Sequence, residues 1–147
     1  MATEDPVVID DRLLIEELLV GLPEGGAHLM LNTTTYWYYR ACRAAVVGAG
    51  GQLSGPFQEL AGAEQERAIL SLLALRDDIG LPDPRTTVPA MVDVAHRHPR
   101  LNLLNLEAVA VARLLSGTVW LSEQASEGIL PPVLQAEGIA WRTITIG

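Results

Sequence analysis

The sequence predicts an α/β fold in three layers, in which a central, mostly parallel sheet is covered by helices on both faces. Short apolar runs that fit buried strands alternate with longer helical patterns, an order typical of parallel sheets. The stretch LNLLNLEAVAVARLL at residues 101–115 is apolar on nearly every side, which is typical of a buried helix. At 147 residues, with 49% hydrophobic and 19% charged residues, the chain is long and apolar enough for one domain, which we predict over residues 1–147.

The first half of the chain predicts two strands and three helices. An apolar run at residues 6–10 predicts a strand, and the leucine pattern at residues 11–20 predicts an amphipathic helix. A turn rich in Gly and Pro at residues 22–26 leads to a second short strand at residues 27–31. Asn32 or Thr33 then caps a helix that runs to about Val47, and a loop with four glycines at residues 48–56 precedes a helix at 59–76.

The second half predicts three more helices and two more strands. A Pro-rich loop at residues 81–87 precedes a helix at residues 88–98, and the buried helix at 101–115 closes at Gly117. The run TVWLS at residues 118–122 predicts a strand. Pro131 and Pro132 suit the first turn of a short helix at residues 129–137, and β-branched residues predict a terminal strand at 139–146.

The charge balance and the single cysteine exclude several classes of protein. The formal net charge of −8 argues against general nucleic-acid binding, which needs clustered cations. One cysteine, Cys42, rules out an intramolecular disulfide and a cysteine-based zinc site. No apolar run reaches the ~18 residues of a membrane span, and the acidic start MATEDP is unlike a signal peptide. We therefore expect a cytoplasmic protein that makes no membrane contact.

Acidic residues are predicted at one edge of the sheet. Asp10 and Asp11 follow the first strand, Glu123 follows the TVWLS strand, and Glu107 lies on the helix that leads into it. Parallel sheets place functional groups at the carboxyl ends of their strands, and carboxylates are the ligands that magnesium prefers. Because Glu107 is the acid of an otherwise apolar helix, it needs a cation, a hydrogen-bond donor or a proton.

The order of elements and three segments resemble the PIN domain, a small α/β fold of metal-dependent ribonucleases and of many toxins in toxin–antitoxin pairs. The resembling segments are VVIDDRLLIEELLVG at residues 7–21, NLEAVAVARLLSGTVWLS at 105–122 and ILPPVLQAEGIAWRTI at 129–144. The family's first-strand Asp matches Asp10, and its acid on the helix before the fourth strand matches Glu107. The resemblance implies a magnesium-dependent cleavage of RNA, with Asp10 and Glu107 as catalytic residues and metal ligands.

Two departures from the family pattern affect that activity. The family's Thr-x-Asp tail reads Ser122-Glu123-Gln124 here, and its second-helix Glu has no counterpart among residues 33–45. Glu123 or Asp11 would have to complete the magnesium site, because a two-carboxylate site concentrates the metal poorly. We therefore expect a degenerate PIN-like protein whose ribonuclease activity is weak or lost.

Other roles remain open for these residues. Asp10 would equally serve as a helix cap, and Glu107 would pair with an arginine such as Arg12. Tyr36, Arg40 and Arg43 share one helical face, where they would contact single-stranded RNA. The alternative is that this acid-free helix packs against the core or a dimer partner. The alternative function is a non-catalytic homodimer that uses the scaffold to contact a protein partner. A phosphoacceptor receiver domain also has paired acids after its first strand, but it needs a lysine, and this chain has none.

Overall fold

A computed structural model describes residues 5–23, 29–47 and 51–146, with residues 51 and 52 described by their backbone alone. Within these residues the chain forms four strands: β1 (Asp5–Ile9), β2 (Leu29–Asn32), β3 (Thr118–Leu121) and β4 (Trp141–Thr143). All neighbouring strands are parallel, and their order in the sheet is β2-β1-β3-β4. The carboxyl ends of β1, β2 and β3 therefore meet at one edge, which begins with Asp10 after β1, Thr33 after β2 and Ser122 after β3.

Helices cover both faces of this sheet. In the described residues they are α1 (Asp11–Leu19), α2 (Thr35–Val47), α3 (Gly51–Gln58), α4 (Gly62–Leu73), α5 (Pro84–Arg97), α6 (Leu103–Leu115), α7 (Glu123–Ser126) and α8 (Leu130–Ala136). On β1, Val7 and Ile9 face a core shared with α1 and α4, whereas Val8 faces a second core shared with α5, α6 and α8. This alternation is the period of two that a strand buried on both sides requires.

The predicted fold class is confirmed: helices lie on both faces of a parallel sheet. The predicted loop at 48–56 is wrong over residues 51–56, which belong to α3 and include Pro56. Helix α5 starts at Pro84 because Asp83 caps it and proline suits a first turn, so the predicted start at residue 88 is four residues late. The strand predicted at residues 139–146 is reduced to β4.

Three further predictions have other outcomes. Helix α7 was not predicted, and it begins directly after the end of β3. Residues 24–28 and 48–50, which carry most of the predicted turn at 22–26, the start of the second strand and the start of the glycine loop, lie outside the described residues. Among the described helices, none combines the length and apolar character needed to cross a membrane.

One buried carboxylate joins the ends of three helices. Glu137, at the end of α8, accepts hydrogen bonds from Arg97 at 2.7 and 2.9 Å and from Arg113 at 2.8 Å, and it contacts His98 at 2.9 Å. These partners lie at the ends of α5 and α6, where cations also complement the helix dipoles. Hydrogen bonding to Arg97 is the main reason that the pKa of Glu137 falls to about 2, against an opposing effect of burial.

We expect Glu137→Ala to lower the free energy of unfolding by about 2 kcal/mol at neutral pH. The Glu137 side chain is only 4% exposed, but its arginine partners are 38% and 45% exposed, so water screens part of the interaction. Because its folded pKa is lowered, this contribution is present above about pH 4.5 and is lost as the pH falls toward 2. Urea denaturation measures it.

Asp93→Ala is the matched control, because Asp93 contacts the same Arg97 at 2.8 Å but is 63% exposed. We expect it to cost clearly less than Glu137→Ala, because water screens an exposed ion pair. Equal losses from the two variants would contradict the assignment of Glu137 as the buried centre of this cluster.

Candidate functional site

Asp10 connects β1, α1 and β3 at the carboxyl edge of the sheet. It is fully buried, and its Oδ1 accepts the backbone N–H of Leu13 at 2.9 Å as the cap of α1. Its Oδ2 accepts the backbone N–H of Ser122 at 2.9 Å and the Ser122 hydroxyl at 2.7 Å. Burial raises the pKa of Asp10, and the donors from Leu13 and Ser122 oppose that rise. The capping role left open by the sequence is therefore present.

Asp11 makes a different set of contacts on the same edge. Its Oδ1 accepts the backbone N–H of Arg12 at 2.9 Å, and its Oδ2 lies 3.2 Å from Nε of Arg40 on α2. That second contact is an ion pair without hydrogen-bond geometry, so Oδ2 is a buried oxygen with no hydrogen bond. Burial first, and the neighbouring Asp10 second, raise the pKa of Asp11 to about 6, while Arg40 offsets part of the rise.

Glu107 is bound by the first turn of α2. It is 4% exposed, and its two carboxylate oxygens accept the backbone N–H groups of Thr35 at 3.0 Å and Tyr36 at 2.9 Å. Thr34 adds its hydroxyl oxygen as acceptor for the N–H of Trp37 at 3.0 Å. The N-terminal N–H groups of α2 are thus satisfied by one local and one distant side chain.

The partner requirement predicted for Glu107 is confirmed, but the arginine suggested for it is wrong. Arg12 instead pairs with Glu16 one turn further along α1, at 3.2 Å. The predicted caps of α2, Asn32 and Thr33, are also wrong. Thr33 instead donates its hydroxyl to the carbonyl of Ile9 at 2.8 Å, and Thr34 is the residue that caps.

Glu123 and Gln124 lie just beyond the sheet. Strand β3 ends at Leu121, and Glu123 is the first residue of α7, so its side chain is not restricted to one face of the sheet. Both side chains are exposed. Glu123 borders a groove of about 880 Å³ between α1, α3 and α4, whereas Gln124 borders both that groove and a smaller cavity.

Tyr36, Arg40 and Arg43 are all exposed on α2. The alternative that this helix packs against the core is confirmed, through Trp37 and Ala41 and not through these three residues. Contact of the exposed face with RNA or with a dimer partner stays a prediction.

The smaller cavity, which we call the edge cavity, has a volume of about 280 Å³ and lies at the carboxyl edge of the sheet. Three charged side chains line it: Asp11, Arg12 and Arg40. Asn105, Ser122 and Gln124 add polar groups to its wall. Apolar and small residues complete the lining, namely Trp37, Leu53, Leu104, Ala125, Gly128, Ile129 and Leu130. The edge therefore offers a small mixed site with one anion and two cations.

These carboxylates are poorly arranged for magnesium. Asp10 and Glu107 are buried, and each of their carboxylate oxygens already accepts at least one hydrogen bond, which leaves fewer lone pairs for a metal. Arg40 lies against Asp11, and its positive charge would repel a divalent cation. Across residues 5–23, 29–47 and 51–146, no group of three or more His, Cys, Asp or Glu side chains is placed to hold a metal.

The raised pKa of Asp11 predicts that the protein becomes more stable as the pH falls from about 7 to about 4. Asp11 takes up its proton near pH 6 when folded but near its ordinary value of 3.8 when unfolded, so the folded state binds the proton first. The shift corresponds to about 3 kcal/mol across that window. Urea denaturation at several pH values measures it.

Asp11→Asn should flatten this pH profile and raise the stability at pH 7, because it removes the buried charge. Asp77→Asn, at an exposed position, should leave the profile unchanged. A stability that falls over the same window would contradict the role given to Asp11.

Several residues of this edge were missed by sequence reasoning. Arg40 was predicted on a face that contacts RNA, or on a helix packed against the core or a dimer partner, but not beside Asp11. Asn105 and Trp37 were given no site role. One signal was available: residues 33–45 contain no acid but include Arg40, a cation that could pair with an acid of another helix. Trp37 and Asn105 carried no local signal, because only the tertiary fold brings them to one cavity.

The fold and the edge together define an α/β protein with a parallel sheet and a polar carboxyl edge. No protein-family model matches the sequence, and no curated protein matches it either.

Proposed function

We propose that this chain is a non-catalytic, PIN-like protein whose sheet edge serves for binding. The observation that carries the proposal is the hydrogen bonding of Glu107, because both of its oxygens accept N–H groups of α2. This carboxylate is 4% exposed and lies at the N-terminus of α2, whose positive end stabilises an anion and disfavours a nearby cation. The acid that the family resemblance marks as catalytic thus acts as a structural cap.

The second helix gives independent support. Where the family carries an acid on this helix, α2 brings Arg40 to the edge, within 3.2 Å of Asp11. An arginine there neutralises one of the few carboxylates that magnesium would need. The remaining acid, Asp10, is occupied by donors from α1 and Ser122.

A weak magnesium-dependent ribonuclease is the second candidate. It is favoured by the exposure of Tyr36, Arg40 and Arg43 on α2, which leaves an aromatic ring and two cations available to single-stranded RNA. In that case Asp10 and Glu107 would hold magnesium after releasing some of their N–H donors, with Glu123 or Asp11 assisting.

One assay separates the two candidates. The protein is incubated with single-stranded RNA and magnesium, beside the Asp10→Asn and Glu123→Gln variants and an EDTA control. We expect no magnesium-dependent cleavage above the background of the variants, and no magnesium-dependent shift of Tm. Cleavage that requires magnesium and is lost in Asp10→Asn would overturn the proposal. Because Glu123 is exposed, its variant folds independently of the capping network and keeps the test valid.

A binding function needs a partner, and we propose a second copy of the chain. Large apolar side chains are exposed on separate helices, among them Tyr39 on α2 at 61% and Val92 on α5 at 64%, and burying them against a second copy would remove apolar surface from water. Light scattering should give twice the chain mass of 15.8 kDa. A monomer at every concentration would remove the homodimer and leave a different protein partner to be found.

A further inference from the structure

We infer that the edge cavity binds a small zwitterion, namely a free α-amino acid with an apolar side chain. The inference rests on the proposed function, since a magnesium ion at the same edge would displace the groups that it uses. Three properties of the cavity support it: a charge pair whose buried oxygen accepts no hydrogen bond, neighbouring amide groups, and an apolar wall.

The charge pair consists of Asp11 and Arg40. Asp11 Oδ2 is buried without a hydrogen bond, although Nε of Arg40 is 3.2 Å away. Oδ2 is closed to a water-sized atom, so a ligand ammonium reaches it only if a neighbouring side chain such as that of Arg40 moves, and the ligand then supplies the donor that Oδ2 lacks. Arg40 is half exposed, which leaves its guanidinium N–H groups available to a carboxylate.

The two opposite charges select the class of ligand. An α-amino acid holds its ammonium and its carboxylate on one carbon, so it presents a donor to Asp11 and an acceptor to Arg40 side by side. A lone anion would face Asp11, and a lone cation would face Arg40. The other charge of the cavity, Arg12, is already paired with Glu16 at 3.2 Å, so it alters this balance little.

The rest of the wall fits the remaining parts of such a ligand. Asn105 and Gln124 line the cavity with amide groups that both donate and accept hydrogen bonds. Apolar side chains lie around them: Trp37, Leu53, Leu104, Ile129 and Leu130. The volume of about 280 Å³ is just below the range of pockets for drug-sized ligands, ~300–1,000 Å³, so the occupant is a small molecule.

Calorimetric titration of the full chain with three matched compounds tests the inference. L-leucine carries both charges, isocaproate has the same skeleton without the ammonium, and isoamylamine has it without the carboxylate. We expect L-leucine to bind roughly tenfold or more tightly than either relative. Glycine should bind more weakly than L-leucine, because it leaves the apolar wall unfilled.

Each of the other outcomes contradicts the inference that the cavity binds a zwitterion. Equal binding of isocaproate would mean an anion site, and equal binding of isoamylamine a cation site. No binding of L-leucine, L-valine or L-methionine would mean that the pair is only structural. If one of these results were obtained and the protein showed no magnesium-dependent RNA cleavage, the proposed function would still stand. Failure of the zwitterion site is therefore distinguishable from failure of the proposed function.

Variants locate the site. Arg40→Gln and Asp11→Asn should each weaken the binding of L-leucine by roughly tenfold or more. Arg85→Gln, which changes an exposed arginine on α5 outside the cavity, should leave the affinity unchanged. Arg40 is half exposed, so its variant tests the cavity even if Asp11→Asn alters the fold. Unchanged affinity in the Arg40 variant would place the ligand elsewhere.

Discussion

Glu107→Ala should lower the free energy of unfolding by about 4 kcal/mol. The change removes two hydrogen bonds from a charged acceptor, each worth about 1.5–3 kcal/mol, and leaves the first two N–H groups of α2 without their acceptor. It also leaves a cavity beside α6, where residues 105–112, which include Glu107, are all buried. Since small domains are stable by only about 5–15 kcal/mol, urea denaturation would detect this as a large shift of the midpoint.

Two further variants qualify this result. Glu107→Gln keeps one oxygen acceptor, so we expect roughly half of the loss. Glu123→Ala removes an exposed acid in the first turn of α7, and we expect a change of less than about 0.5 kcal/mol. If Glu107→Ala left the stability unchanged or raised it, the capping role would be wrong and a functional role for the free carboxylate would regain support.

Asp10→Ala should be about as damaging, with a loss of about 4 kcal/mol. It removes the cap of α1 and leaves the N–H and the hydroxyl of Ser122 buried without their acceptor. Removing a buried charge offsets part of the loss, because burial raises the pKa of Asp10. Chemical denaturation near pH 7 is the measurement.

Asp83→Ala is the matched control for the cap alone. Asp83 caps α5 through the N–H of Arg85 at 3.0 Å but is exposed. We expect its loss to be about 1 kcal/mol, the usual value of a helix cap. A similar loss for Asp10→Ala would show that the bonds to Ser122 add nothing, which a double variant with Ser122→Ala would test as a coupling energy.

Much of the fold was predictable because local patterns in the sequence indicate its strands and helices. Apolar runs located β1 and β3, and helical periodicity located α1 and α6 to within two residues. Helix α3 was not predictable, because Gly51, Gly55 and Pro56 disfavour a helix in isolation and only packing of residues such as Phe57 into the core holds it there. The start of α5 was readable in principle, since Asp83 followed by Pro84 is a helix-start signal.

The site was predictable in part. Burial of Glu107 and its need for a partner followed from the apolar helix around it, and the structure bears both out. The identity of the partner did not follow, because backbone N–H groups have no sequence signature and the donors are 71 and 72 residues away. The pairing of Asp11 with Arg40 was hidden for the same reason, since it depends on how α1 packs against α2.

The link between Asp10 and Ser122 spans 112 residues, which has a consequence for the order of folding. β1 can pair with β2 once the chain has reached Asn32, but it lies between β2 and β3 in the sheet. The strand that pairs with its other edge, β3, and the donors for Asp10 Oδ2 become available only when residue 122 has been synthesised. Closing so long a loop costs chain entropy before the contacts that offset this cost can form. A nascent chain that stops before β3 therefore exposes one unpaired edge of β1 and the carboxylate of Asp10, which is buried in the finished fold. The first folded unit of such a chain cannot be the complete sheet.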